Sequence, residues 1–395
     1  VLLTSKFRNV FTLQTASVLI FLGALTLSAA LALDSTVAWD PWYVYATLVA
    51  FYFVLLLVIR TPYELLFMII CYLVTMGVYL AKCEWEFFIH DRHDFKMGVR
   101  RMIGIESTFG DPNALAMSIA VSLPILWYLF SIRKTLTAQW PAQWRRMFPV
   151  GLGVYLFLAT TATILTRSRA GMLTGVVFIA ILAFRGKGWG KKLLVSLAGV
   201  LFIAAVWFTM SDEAKNRLRT VWDPEAGPAN ATTSAYGRVE GLRAGLVMVE
   251  RYPFAGVGMG NFIPYRVAYI DGVSLLAHNL AGQVLGETGL LGCGAFLFMI
   301  FVTYWSCRRI RKLAGRSTEP LPLALSGFAM ACENVILLLL FEGLFLHNMT
   351  RFNWLWLAAF ASHALFFMAL CSRQRSQPVF RQGRGALNWA AAQTR

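Results

Sequence analysis

Two arginines and a histidine, separated by a glycine-punctuated turn, stand out in residues 236–292: YGRVEGLRAGLVMVERYPFAGVGMGNF, a spacer, then LLAHNLAGQVLGETGLLG. The arginines are Arg238 and Arg243, and the histidine is His278, followed by Asn279. A guanidinium presents a planar fork of N–H donors that matches phosphate oxygens. An imidazole titrates near neutral pH, so it can take a proton from a hydroxyl. The spacing Val239, Leu242, Leu246, Val249 is helical, with Arg238 at the helix start, where free amide donors also favour a phosphate. Arg243, one and a half turns on, projects in a different direction. A lone histidine is just as compatible with a structural role.

Further candidates lie elsewhere. Arg100 and Arg101 are adjacent in KCEWEFFIHDRHDFKMGVRRMIGIESTFGD, a segment that otherwise reads as a charged helix at a membrane interface. Arg167 and Arg169 sit in the short hairpin 166–170, where arginines between apolar segments are costly and are usually paired or functional. Interface snorkelling competes for Arg167. The small Ala170-Gly171 after Arg169 permits close packing. Tyr265, Arg266 and Tyr269 could stack on or bond a sugar. His90, Asp91, His93 and Asp94 have spacing a metal could use, but nothing else in the chain completes such a site. No metal or cofactor is expected. Asp111, before Pro112, reads as a helix cap in competition with a catalytic acid. The glycines of FAGVGMGNF have a dinucleotide-like look, yet no strand precedes them; tight turns that bring backbone close to a neighbour are the better reading. Glu287 falls inside an apolar run, where an unpaired carboxylate is expensive; Arg238, Arg243 or His278 could relieve that cost. His347-Asn348 repeats the His-Asn pair and competes with His278.

The elements that must hold these residues are membrane helices. Of 395 residues, 58% are hydrophobic and 14% charged, with mean hydropathy +0.60, whereas soluble domains carry roughly 25% charged residues. Apolar runs at 13–33, 42–59, 63–81, 112–132, 148–166, 170–184, 193–210, 284–306, 321–346 and 352–371 make ten candidate spans in an all-α polytopic bundle. No cleavable signal peptide is evident. The expected organisation is a bundle over 1–210, a large external loop over 211–283 carrying the site, further spans over 284–371, and a basic, disordered tail over 372–395.

The net charge of +16 is a topology signal rather than a mark of nucleic acid. The loops on the side of both termini hold 21 Lys/Arg against Glu64 and Glu319, leaving 15 of the 36 basic and 18 of the 20 acidic residues elsewhere. Basic loops stay cytoplasmic, so the 211–283 loop is expected outside. The six cysteines avoid that loop, so no disulfide framework holds it. Glu333 and Glu342, on opposite faces of the ninth span, could each pair with a neighbour.

The order of these motifs resembles the O-antigen ligase family of Gram-negative inner membranes. The motifs are a Ser-Arg-Ala-Gly hairpin, a late external loop, Pro-Phe-Ala-Gly-Val-Gly-Met-Gly-Asn-Phe, His-Asn and Glu-Thr-Gly-Leu-Leu-Gly. The resemblance covers roughly 110–352, and each motif alone is weak. O-antigen polymerases and protein O-glycosylating ligases share much of the pattern. The resemblance implies about twelve spans against the ten counted. It also implies metal-independent transfer, on the periplasmic side, of a glycan from undecaprenyl diphosphate to the lipid A core oligosaccharide. It places essential residues at Arg169, Arg238 and His278, with Arg100, Arg101, Arg167, Arg243, Arg266, Tyr265 and Asn279 as substrate-binding candidates. A single displacement with inversion suits them better than a two-carboxylate scheme, because the loop acids form no evident pair. Two other classes stay open: a flippase for lipid-linked sugars, although no internal repeat is evident, and a non-catalytic assembly scaffold.

Overall fold

Long apolar helices account for most of the described residues. The computed structural model describes residues 12–376 apart from 97–98, 107–108, 187, 210–211, 220–222, 224–228 and 316. In order, they form α1 (Leu13–Ala30), α2 (Ser35–Val58), α3 (Pro62–Ile89), a short hairpin of β1 (Asp94–Lys96) and β2 (Val99–Arg101), α4 (Pro112–Leu136), α5 (Ala142–Thr166), α6 (Arg169–Arg185) and α7 (Trp189–Thr209). There follow α8 (Asp212–Arg219), α9 (Ala229–Arg251), α10 (Phe262–Tyr269), α11 (Leu280–Ala314), α12 (Pro320–Glu342) and α13 (Phe352–Ser376). Among the described residues eight helices (α1 to α5 and α11 to α13) are long and apolar enough to cross a membrane. The chain is an all-α polytopic membrane protein, as its composition predicts. The predicted spans 170–184 and 193–210 are also helical, as α6 and α7. α13 continues past Cys371 to Ser376, and the rest of the expected tail, 377–395, lies outside the described residues.

The chain divides into two units, and three of the four boundaries fall within helices. One unit comprises Val1–Ile70, Glu240–Ile336 and His347–Arg395; the other comprises Cys71–Val239 and Leu337–Leu346. In the first unit α11 packs on α1 and α13, and α2 packs on α1 and α13. Side-chain hydrogen bonds join these helices: Gln14 Nε2 donates to Thr303 Oγ1 at 2.8 Å, and Thr15 Oγ1 lies 3.1 Å from the Tyr52 hydroxyl. Such bonds hold helices together in lipid, where apolar contact alone gives no drive. In the same unit Glu333 takes the Arg311 guanidinium at 2.6 Å, which supplies the partner expected for that buried acid. In the second unit α4 packs on α5 and α6, and α6 on α5 and α7. A Cβ on Gly171 would collide with that of Ala116, so α4 and α6 approach as closely as the small residues after Arg169 predict.

α11 is broken, and this feature organises the first unit. Gly289 has φ +62° and ψ −163°, and the helical ladder stops there. The freed backbone groups are taken up by residues 253–258. Val257 N–H donates to Gly286 O at 2.9 Å and Gly258 N–H to Glu287 O at 3.1 Å; Leu290 N–H donates to Pro253 O at 2.8 Å and Leu291 N–H to Phe254 O at 3.1 Å. Ser28 Oγ also donates to Glu287 O, at 2.7 Å. Irregular backbone at membrane depth survives only where protein satisfies it. The glycine-rich run is that protein. Gly256, Gly258 and Gly260 all have positive φ, and a Cβ at Gly256 would meet the backbone of Gly286 and Glu287.

Candidate functional site

The arginine group belongs to the second unit. The predicted hairpin at 166–170 forms as expected: α5 ends at Thr166, Arg167 caps it in the left-handed region (φ +49°, ψ +34°), and Ser168 starts α6 by accepting from Gly171 N–H at 3.2 Å. Arg101 is the brace of this turn. It is 4% exposed; its Nε donates to Thr166 O at 3.1 Å and its Nη2 to Asn113 Oδ1 at 3.1 Å. Asn113 Oδ1 also accepts from Ser168 Oγ at 2.8 Å, so one amide joins Arg101 to the cap of Arg169's helix. Asp111 caps α4 by accepting from Asn113 N–H at 2.8 Å and Ala114 N–H at 3.0 Å, as the cap reading requires.

Arg169 lies within electrostatic reach of both Arg101 and Arg238. Burial holds the Arg101 guanidinium below its ordinary pKa, and the charge of Arg169 adds to that, against Asp111 and Asp94. Burial likewise lowers Arg238, again with Arg169 adding and Asp111 opposing. The Arg238 guanidinium also lies 5.6 Å from the Phe345 ring centroid, a cation–π distance. Crowding desolvated cations is expensive, and Asp111 offsets part of that cost at Arg101 and Arg238.

Arg100 does not join them. Alternate residues of a strand point to opposite faces, so Val99 and Arg101 are buried and Arg100 is exposed. Its guanidinium pairs with Asp91 and lies 5.4 Å from the Phe87 ring centroid. The segment predicted as an interfacial helix ends its helix at Ile89 and turns into the β-hairpin. His90 lies 3.3 Å from Glu86 and His93 3.4 Å from Asp91. Among the described residues no group of three or more His, Cys, Asp or Glu could hold a metal ion.

The histidine group belongs to the first unit. A Cβ at Gly241 would run into the carbonyl of Ala277, and one at Gly245 into that of Gly282, so α9 lies backbone to backbone on the start of α11. Ala277 is held there, Asn279 caps α11 by accepting from Gly282 N–H at 2.7 Å, and His278 between them adopts φ +48°. Asn279 is therefore occupied as a cap. His347 lies beside His278, with ring centroids 5.4 Å apart and planes inclined at 67°. The two His-Asn pairs that compete in the sequence are neighbours in space. Met349 N–H donates to Gln283 Oε1 at 3.2 Å, while Gln283 Nε2 reaches Glu287 Oε2 at 3.4 Å. The backbone N–H groups of Gly260 and Phe262 donate to Glu287 as well. The carboxyl thus meets neutral donors rather than the cations proposed for it.

Two other candidates, Arg266 and Tyr265, are buried. Arg266 is 2% exposed and forks onto Asp271, with Nε 3.0 Å from either carboxyl oxygen and Nη2 2.7 Å from Oδ2. That fork holds the Asp271 carboxyl below the usual carboxylate range. Tyr265 is buried and its hydroxyl accepts from Arg251 Nη1 at 3.1 Å. Tyr269, 5.0 Å from Tyr265 between centroids, keeps an exposed ring. Arg243 is exposed on α9, whereas Arg238 is half-buried, so the two do project differently. Sequence reasoning gave no role to Asn113, Gln283 or Asn261. Asn261 clasps the α1–α2 turn, its Oδ1 accepting from Asp34 N–H and its Nδ2 donating to Asp34 O, both at 3.0 Å. For Gln283 the one available signal was its place a turn after Asn279.

A polytopic membrane protein with clustered arginines and paired histidines at its helix ends is the class these features define. Residues 154–299, a little over a third of the chain, match the family model described as O-antigen ligase. The match takes in the Arg169 hairpin, Arg238, the glycine run, His278 and the break in α11. No curated protein matches the chain.

Proposed function

We propose that the protein is an O-antigen ligase of the bacterial inner membrane. It transfers a glycan from undecaprenyl diphosphate to a sugar hydroxyl of the lipid A core oligosaccharide, at the periplasmic face and without a metal. The observation that carries this reading is the gathering of Arg101, Arg169 and Arg238 from three separate parts of the chain. Guanidinium forks match the oxygens of a diphosphate leaving group, and charge-assisted arginine bonds strengthen as negative charge develops on it. His278 accepts the proton of the attacking hydroxyl, an assistance worth roughly 10²–10⁴-fold. One displacement at the anomeric carbon breaks its bond to phosphate and forms the new glycosidic bond, so configuration inverts. The arginines and the histidine are asked to serve one reaction on chemical grounds.

Purified protein incubated with lipid-linked glycan and acceptor oligosaccharide tests the proposal. Transfer to the core oligosaccharide supports it. A glycan lengthened on its own lipid carrier identifies a polymerase, and movement of the lipid across a bilayer without product identifies a flippase. The family match favours the first two outcomes over the third.

A further inference from the structure

We infer that His347 is a positioning residue for His278, setting the direction in which the base presents its ring. The inference rests on the reading of His278 as the base. His347 is remote in sequence, but the chain fixes it in place. Met349, fully buried two residues later, donates its N–H to Gln283 in the first turn of α11, and the Trp354 indole donates to Asn348 O at 3.0 Å. The same first turn is capped by Asn279, next to His278. The residues after each histidine are therefore tied to one short stretch of helix, and the rings meet at 5.4 Å and 67°.

The backbone of His278 is already constrained by φ +48°, by the cap on one side and by Ala277 against Gly241 on the other. The direction of the ring is a separate matter, set by rotation about the side-chain bonds. An inclined aromatic neighbour at this distance restricts that rotation, as edge-to-face packing does for aromatic pairs in general. The ring nitrogen that must accept a proton is then held toward the hydroxyl before the acceptor arrives. Misplacing a reacting group by about 1 Å costs on the order of 10²-fold in rate, so losing the neighbour should lower turnover without weakening donor binding.

The test is steady-state transfer by full-length protein in nanodiscs, with lipid-linked glycan varied at saturating acceptor. His347→Ala is expected to lower kcat by about 10²-fold and leave KM for the donor within about twofold. His347→Phe restores a ring without nitrogens and should recover most of the lost kcat. Should the alanine variant fail to fold, His347→Gln serves as the ringless variant under the same criterion. Wild-type kcat in the ringless variant, with His278→Ala inactive, would overturn the positioning role and leave the base assignment standing. A loss that phenylalanine does not recover would also overturn it, because ring packing would then not be what His347 supplies. Full activity of His278→Ala is the separate result that defeats the reading beneath it.

Discussion

At the scale of single residues, the arginines differ more than their shared chemistry implies. Arg169→Ala and Arg238→Ala are each expected to abolish transfer. Arg→Lys at either should recover only part of it, because a point charge replaces the fork. Product formation by Arg238→Ala near the wild-type rate would remove that residue from the site. Arg101→Ala should be as damaging as either, through loss of its bonds to Thr166 and Asn113. Arg100→Ala, losing only an exposed ion pair worth about 0–1 kcal/mol, should stay close to wild type. Arg266 makes a prediction about pH instead. Its partner Asp271 has a lowered pKa in the folded protein, so the pair contributes stability above the unfolded value of about 3.9. That contribution is lost as pH falls through the lower folded value. Asp271→Asn should therefore reduce the melting temperature at pH 7, and the gap to wild type should close in acid; a gap constant with pH would contradict the assignment.

Elements show what the sequence could and could not convey. The membrane helices are legible because length and apolarity alone determine them. The hairpin at Arg167 is legible because two arginines interrupt an apolar run. The separation of Arg100 from Arg101 is not, since it depends on a β-hairpin of two three-residue strands inside a segment whose charge pattern also fits a helix. Nor is the meeting of His278 with His347, which depends on a tertiary hydrogen bond from Met349 to Gln283. The glycine run was readable as close backbone approach, but its neighbour, the break in α11, was hidden inside a continuous apolar pattern. Gly289→Ala tests that element. A side chain at φ +62° costs roughly 1–2 kcal/mol, and its Cβ would also strike the Phe254 carbonyl. A lowered melting temperature is expected in detergent; an unchanged one would mean the break is not needed.

For the molecule as a whole, the charge distribution makes the strongest claim. With 21 of the 36 basic residues assigned to the side of the termini, the 211–283 loop should face the periplasm. A cysteine at Thr232, after replacement of reactive native cysteines, should be labelled by an impermeant maleimide in intact spheroplasts. Labelling only after lysis would reverse the orientation. Transfer should also persist in EDTA; loss restored by a divalent ion would return His90 and His93 to consideration.

The stapled break in α11 should make the bearing of His278 sensitive to helical phase. Between Gly289 and the cap at Asn279 there is a little over two turns of helix, with its C-terminal end fixed by residues 253–258. Each residue of an α-helix advances the chain by about 100° and 1.5 Å. A single alanine inserted between Leu280 and Gly289 would thus swing His278 roughly a quarter-turn around the axis while leaving every apolar span intact. Such a protein should insert and fold yet transfer nothing. The same insertion beyond Gly289, near the C-terminal end of α11, should leave the histidine's bearing untouched.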